Sequence, residues 1–384
     1  MHCKDRPFGC GRGKRGEVKM DNSKRIEAEH GIICAYGNDT LFGYFGWPSV
    51  CRVGEHELLA AASGFRTGHI DPFGKSVCFS SFDDGKTWGE PLVVNDSPVD
   101  DRDTGLVALG EGRALLTWFA SDTRGLLARP GGGADRLKTR RYRMDFHPVV
   151  DAWDDAVVAA NVGAFTRLRN ADGSWSARRK SPVSAPHGPT LRRDGSLLYL
   201  GNECRCEFGN HGGLKMGDII AVESRDLGES WTKIGSVPAP DEGKFWEAHV
   251  LELPDGELVG ALRREPGFST CLTRSADGGR TWTKPTLLVA GAPPSLMLHS
   301  SGTLVMSCSW RGENPGQRVA FSRDGGRTWS LDWILRDDGP TPDLGYPSTV
   351  ELADGSFRTV YYQKVHADDL NCALMTSHWK MPRF

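Results

Sequence analysis

One turn of eight residues is written four times along the chain: Ser81-Phe-Asp83-Asp-Gly85-Lys-Thr87-Trp88, Ser224-Arg-Asp226-Leu-Gly228-Glu-Ser230-Trp231, Ser275-Ala-Asp277-Gly-Gly279-Arg-Thr281-Trp282 and Ser322-Arg-Asp324-Gly-Gly326-Arg-Thr328-Trp329. Turn chemistry accounts for every position. The short Asp side chain accepts from the backbone of its own turn, Gly takes the positive φ that other residues resist, and Trp is large enough to wedge against a neighbouring unit. An aspartate occupied in this way is a poor candidate for catalysis. The repeat therefore reports architecture, and any chemistry must come from elsewhere in the chain.

A second repeat counts the units. A Pro or small residue, an apolar strand, a Gly-bearing turn and a second apolar strand recur six times. They open at Trp47-Pro48, Thr104-Gly105, Gly188-Pro189, Ala248-His249, Pro294-Ser295 and Pro347-Ser348, with their turn glycines at Gly54, Gly112, Gly195, Gly256, Gly302 and Gly355. Six hairpins of one kind, with the Ser-x-Asp turns falling on the hairpins between them, predict an all-β fold, a six-bladed β-propeller, as a single domain over residues 31–384. A jelly-roll sandwich would not produce repeats of one phase and one turn type. Asn170-Ala-Asp172-Gly173-Ser-Trp175 reads as a worn copy of the turn in the blade before Pro189.

Composition sets the outer limits. With 384 residues, 39% of them apolar, 47 Gly and 22 Pro, the chain can bury a large core built from many short strands. A formal charge of −2 gives no reason to expect nucleic acid or an anionic membrane as partner. No window approaches the roughly 18 to 20 apolar residues of a membrane span. Residues 1–30 are polar, mixed in charge and lack the apolar stretch of a secretory signal. They read as a disordered extension, with Met20 an alternative start and a cytoplasmic location expected. Most of the ten cysteines interrupt apolar runs and read as reduced core residues. Only Cys204-Arg-Cys206 suggests a metal or a local bridge, and it lacks the second pair that a zinc site needs; no metal or cofactor is expected.

In a propeller the ligand sits at the mouth of the central channel, so the residues opening each repeat matter most. Blade one offers Gly46, Trp47 and the run Arg66-Thr-Gly-His69-Ile-Asp71; blade two, the cluster Asp100-Asp101-Arg102-Asp103; blade three, His187 and Glu203. Blade four offers Glu247, His249 and Arg263; blade five, Arg311 and Arg318; blade six, Tyr346.

These residues carry a resemblance. The Ser-x-Asp-x-Gly-x-Thr-Trp turn looks like the Asp box of sialidases, and from about residue 40 the chain is similar to the sialidase superfamily. Glu247 and Arg263, sixteen residues apart across Glu252-Leu-Pro-Asp-Gly256, reproduce a family spacing, as do Tyr346 and the strand running on to Tyr361. The resemblance implies a retaining, exo-acting glycosidase with Tyr346 as nucleophile, Glu247 as its base and Asp71 as acid/base. Its expected partner is a terminal sialoside or a related glycan. A phenol with a pKa of about 10 needs such a carboxylate to take its proton. Three arginines clamp the substrate carboxylate in this family; Arg263 takes one place, and Arg311 or Arg318 a second. The first is absent: Gly46 stands there, and Tyr362 replaces its carboxylate partner. Arg66 and Arg102 are candidates to replace it, with Asp101, His69, His249 and Trp47 as further substrate contacts. The incomplete clamp leaves open a different, non-sialic sugar or a non-catalytic glycan-binding propeller.

Overall fold

The computed structural model describes residues 24–124, 138–139, 144–145, 147–206 and 214–384. Within them, six antiparallel blades follow one another. Blade one comprises Tyr44–Arg52, Leu58–Arg66, Lys75–Ser81 and Leu92–Asn95; blade two, Asp100–Gly110, Arg113–Ser121, Gly163–Arg169 and Arg179–Ser181. Blade three has a broken inner strand, Val183–Ser184 and Thr190–Leu191, followed by Leu197–Cys206, Leu214–Ser224 and Thr232–Ser236. Blade four is Lys244–Glu252, Leu258–Glu265, Ser269–Ser275 and Thr286–Ala290; blade five, Ser295–Leu298, Leu304–Trp310, Gly316–Ser322 and Ser330–Arg336. Blade six takes Gly345–Glu351, Phe357–Gln363 and Ala373–Trp379 from the C-terminal end and its outer strand, Ala28–Cys34, from the N-terminal end.

That last pairing closes the ring and moves the expected domain boundary. Residues 24–30 belong to the propeller: Ile26 is buried and donates its N–H to Ile334 O at 2.8 Å, and Arg25 pairs with Asp337 at 2.5 Å. The expectation of disorder is thus corrected from Lys24 onward, and its remainder, residues 1–23, lies outside the described residues. The connection between the second and third strands of blade two holds two short helices, His147–Asp151 and Asp155–Asn161, that the strand repeats do not announce. Val150, Trp153 and Val158 there join Trp118 and Phe165 in the core.

Second strands such as Leu58–Arg66 are buried along nearly their whole length, because neighbouring blades cover both faces. The Asp boxes close the third and fourth strands of blades one, three, four and five. In the first, Asp83 accepts from Thr87 N at 2.9 Å and Thr87 Oγ1 at 2.7 Å, while Ser81 Oγ accepts from Gly85 N at 2.8 Å. The Thr87 N–H, with the neighbouring hydroxyls, holds the Asp83 carboxyl down at about 2. Asp226, Asp277 and Asp324 repeat the arrangement. Gly85, at φ +78°, lies against Arg358 of blade six, so the turn also seals an inter-blade seam.

The inner strands carry the feature that makes a site. In blades one, two, four and six the pairing with the second strand slips by one residue, between Gly46 and Ser49, Arg102 and Gly105, Trp246 and His249, and Gly345 and Ser348. The extra residue is a β-bulge, which re-aims the side chain it carries. Its first member has positive φ each time: Trp47 at 54°, Asp103 at 51°, Glu247 at 48° and Tyr346 at 55°. Non-glycine residues adopt that conformation at a cost of order 1–3 kcal/mol each, which the surrounding structure must offset.

Candidate active site

Two of these bulges meet. Tyr346 Oη donates to Glu247 Oε1 at 2.5 Å, and Arg263 Nη1 donates to both Glu247 oxygens at 3.0 and 2.9 Å. Arg263 also reaches Glu265 through Nε at 3.0 Å and Nη2 at 2.6 Å. Each bulge is held from the second strand of the preceding blade: Asn202 Oδ1 accepts from Glu247 N at 3.3 Å, and Ser309 Oγ accepts from Tyr346 N at 3.0 Å. Gly345, at φ +131°, is needed beside Ser309, since a Cβ there would stand 2.1 Å from the Ser309 hydroxyl.

The electrostatics keep the phenol protonated at rest. Burial, then the Glu247 and Asp103 carboxylates, push the Tyr346 hydroxyl well above its ordinary value. Burial works against the Arg263 charge, but Glu247 and Tyr346 outweigh it and hold the guanidinium protonated. The Tyr346 proton therefore has one evident destination, the carboxylate already bonded to it.

Arg311 completes this half of the site. Its guanidinium and that of Arg263 both stack on Phe268, at 4.7 and 4.9 Å from the ring centroid, and Arg311 donates to Leu344 O through Nε at 3.1 Å and Nη2 at 2.9 Å. Arg318, the other candidate, is corrected: it is buried, and its Nη1 is directed at the carbonyls of Gln317 and Arg336 in the flank of blade five.

The opposite half departs further from expectation. Asp71 is fully buried and turned into its own loop, where it accepts from Thr67 N at 2.7 Å, Thr67 Oγ1 and Phe73 N at 2.6 Å. It caps the loop and does not face the channel mouth. Arg66 is also fully buried, paired with Asp100 at 2.6 and 3.0 Å, and Asp101 accepts from Asn95, Ser97 and Trp118 where blade one joins blade two. Neither is available to a ligand, because folding has already satisfied both. Trp47, 1% exposed, is a supporting ring beneath Arg102, whose guanidinium lies 4.5 Å from its centroid. His249 accepts from Leu296 N at 2.9 Å and packs edge-on against His187; enclosure by protein lowers it to about 4 and keeps it neutral. Glu203 holds Arg205 at 2.5 Å, and Cys204 and Cys206 are free thiols.

Two expected contacts do reach this side. Arg102 retains a partly exposed guanidinium whose Nε makes no hydrogen bond but lies 4.0 Å from Asp100 and 3.9 Å from Asp103, and the His69 side chain is exposed. Gly46, where the resemblance leads one to expect an arginine, is hemmed in by aromatic rings: a Cβ there would begin 3.4 Å from the Tyr44 ring and 3.7 Å from Tyr362. Among the described residues no group of three His, Cys, Asp or Glu side chains is placed to hold a metal ion. A groove of about 510 Å³ lies beside the Asp box of blade one, but Arg169 within it is committed to Gly112 O and Glu57, and neither Tyr346 nor Glu247 lines it.

Residues 155–359, more than half of the chain, match the BNR repeat-like domain. The chain belongs to the BNR repeat-like family. This BNR repeat-like protein is 22% identical over 347 residues to a sialidase of Micromonospora viridifaciens, covering 82% of its own length and 49% of that protein, so it spans about half of that relative. Among solved structures it resembles a protein of unknown function from Dyadobacter fermentans, with TM-score 0.71, 22% identity and 92% and 98% of the two chains covered. It also resembles the NanB sialidase of Streptococcus pneumoniae, with TM-score 0.63, 15% identity and 91% and 70% coverage. An intramolecular trans-sialidase of Ruminococcus gnavus matches with TM-score 0.57, 17% identity and 91% and 97% coverage. At such identities these likenesses establish the six-bladed sialidase-type fold.

The sequence names one residue of this BNR repeat-like site, Asp103, only as a member of the blade-two cluster, and does not point to another, Asp343. Asp103 occupies the blade-two bulge, buried, its Oδ1 without a hydrogen bond but 3.9 Å from Arg102 Nε; burial raises its carboxyl to about 7, against the pull of Arg102. The residue immediately before the hairpin repeat is the available signal, since it is the bulge residue in blades two, four and six, while in blade one the bulge residue, Trp47, opens the repeat. Asp343 accepts from Tyr44 Oη at 3.0 and 3.1 Å, from His69 Nδ1 at 2.9 Å and from Tyr362 Oη at 3.3 Å. It lies in an irregular loop with no motif around it.

Proposed function

We propose that the chain is a retaining, exo-acting glycoside hydrolase of sialidase type, with Tyr346 as nucleophile and Glu247 as the base that takes its proton. The observation that carries this reading is the 2.5 Å bond from Tyr346 to Glu247, with Arg263 on the far side of the carboxylate. A phenol placed against a carboxylate at a channel mouth is suited to attack at an anomeric carbon, and the arginines offset the charge that moves.

The pocket favours a terminal sugar other than a standard sialoside. Arg263 is saturated by Glu247 and Glu265, and Arg311 directs two nitrogens at Leu344 O. Where a third clamp arginine would lie, Tyr44 and Tyr362 surround a carboxylate, Asp343, which repels another carboxylate. The test is turnover of a panel of fluorogenic aryl glycosides, a sialoside among them, by the wild type and Tyr346→Phe. Cleavage lost in the variant, with the anomer retained by NMR, supports the reading. Silence across the panel with measurable glycan binding would instead favour a non-catalytic propeller.

A further inference from the structure

We infer that His69, oriented by Asp343, is the acid/base of this site, in the role that spacing alone assigns to Asp71. The inference rests on the hydrolase reading above. Arg66 to Gly74 connects the second and third strands of blade one at the channel mouth, and it carries two groups able to exchange a proton. Asp71 faces inward, with both oxygens bonded to donors of its own loop, so it cannot reach a leaving group without dismantling that loop. His69 faces outward, its side chain 44% exposed.

The imidazole is held as a proton-transferring group would be. Its Nδ1 lies 2.9 Å from Asp343 Oδ1. Burial works to raise the Asp343 carboxyl, but the bonds from His69 and Tyr44 outweigh it and keep Asp343 ionised, below the usual carboxylate range. An ionised acceptor at Nδ1 fixes the proton on that nitrogen and leaves Nε2 as the atom that gains and loses one. The remaining neighbours are Tyr44 Oη at 3.2 Å from Nδ1, the Trp47 ring at 5.0 Å, and Arg66, which donates to His69 O at 3.3 Å while paired with Asp100. Trp47 packs against Tyr362 at 5.9 Å and Tyr362 against Tyr346 at 6.1 Å, so one wall of rings joins the imidazole to the nucleophile.

The chemistry balances. As Tyr346 Oη bonds to the anomeric carbon and passes its proton to Glu247, the glycosidic C–O bond breaks and the leaving oxygen takes the proton from His69 Nε2. In the second half, neutral His69 takes a proton from water as the hydroxide oxygen displaces Tyr346, which recovers its own proton from Glu247. The net reaction is hydrolysis, with every group restored.

The test uses dinitrophenyl, nitrophenyl and phenyl glycosides of whichever sugar the wild type cleaves. His69→Gln should lose about 10²- to 10⁴-fold on the phenyl glycoside and little on the dinitrophenyl one, whose leaving group needs no proton. Asp343→Asn should show the same trend more weakly, while Tyr346→Phe should be defective across the series. An equal loss for all leaving groups in His69→Gln, or none, would overturn the assignment and leave the hydrolase reading standing. A wild type inactive on every aryl glycoside would remove both.

Discussion

Tyr346 and Glu247, 99 residues apart in the chain, donate and accept a 2.5 Å hydrogen bond from two bulges of the same kind in different blades. Groups that act as one unit are not additive when removed. Tyr346→Phe should lower kcat/KM by at least about 10³-fold, and the double variant with Glu247→Gln should be no slower than the worse single one. Steady-state kinetics on the three proteins check this; a multiplicative loss would mean that the two residues act separately. Thermal melts should separate them as well, since Glu247→Gln also weakens the pairing with Arg263.

Arg66 and Asp100 test a different claim, that a pair expected near the ligand is structural. Both side chains are fully buried and doubly bonded to each other. Removing one partner of such a pair strands the other charge, at a cost of about 3–5 kcal/mol. Arg66→Met should destabilise by that order in urea unfolding, and Arg66→Met with Asp100→Leu should recover much of it. A single variant as stable as wild type would return Arg66 to the list of ligand contacts.

How much of this was legible depends on whether a residue's role is local. The Asp boxes are closed by bonds within five residues, so Ser81 to Thr87 announces its own geometry, and counting hairpins gives the blades. Glu247, Arg263 and Tyr346 were legible because their spacing is set by one hairpin each. Asp71 and His69 were not separable, because which of two loop residues turns inward depends on the donors of Thr67 and Phe73. Arg66, Asp100 and Asp101 read as a polar cluster near the mouth; burial decides their fate, and burial comes from blades one and two packing together. Asp343 had no local signature, since its donors, Tyr44, His69, Tyr362 and Cys372, come from separate segments.

Ser309 holds the Tyr346 bulge through one hydroxyl, and Gly345 leaves it the room. Ser309→Ala strands the Tyr346 N–H in a buried position, which costs about 1–3 kcal/mol. Gly345→Ala should act alike, by driving the hydroxyl away. Both should lower the unfolding midpoint and reduce kcat more than they change KM, because the nucleophile is misaimed while the sugar contacts remain. Unchanged kcat in both would show that the bulge is held by its strand pairing alone.

Asp103 gives the site a pH signature whose sign is fixed. Burial raises its carboxyl to about 7 in the folded protein, against about 3.9 in an unfolded chain. Between those values the folded state binds the extra proton, so the Asp103 contribution to stability is present below about pH 4 and is lost as pH rises towards 7. Buried His249, lowered to about 4, works the other way, so the whole-protein curve mixes the two. The difference between wild type and Asp103→Asn isolates one group: the amide cannot ionise, so the variant should gain stability relative to wild type as pH rises from about 4 to 7, and the gap should level off above that. Urea midpoints across this range check it. A gap that stays constant with pH would mean that Asp103 is already ionised when the protein folds, held by Arg102.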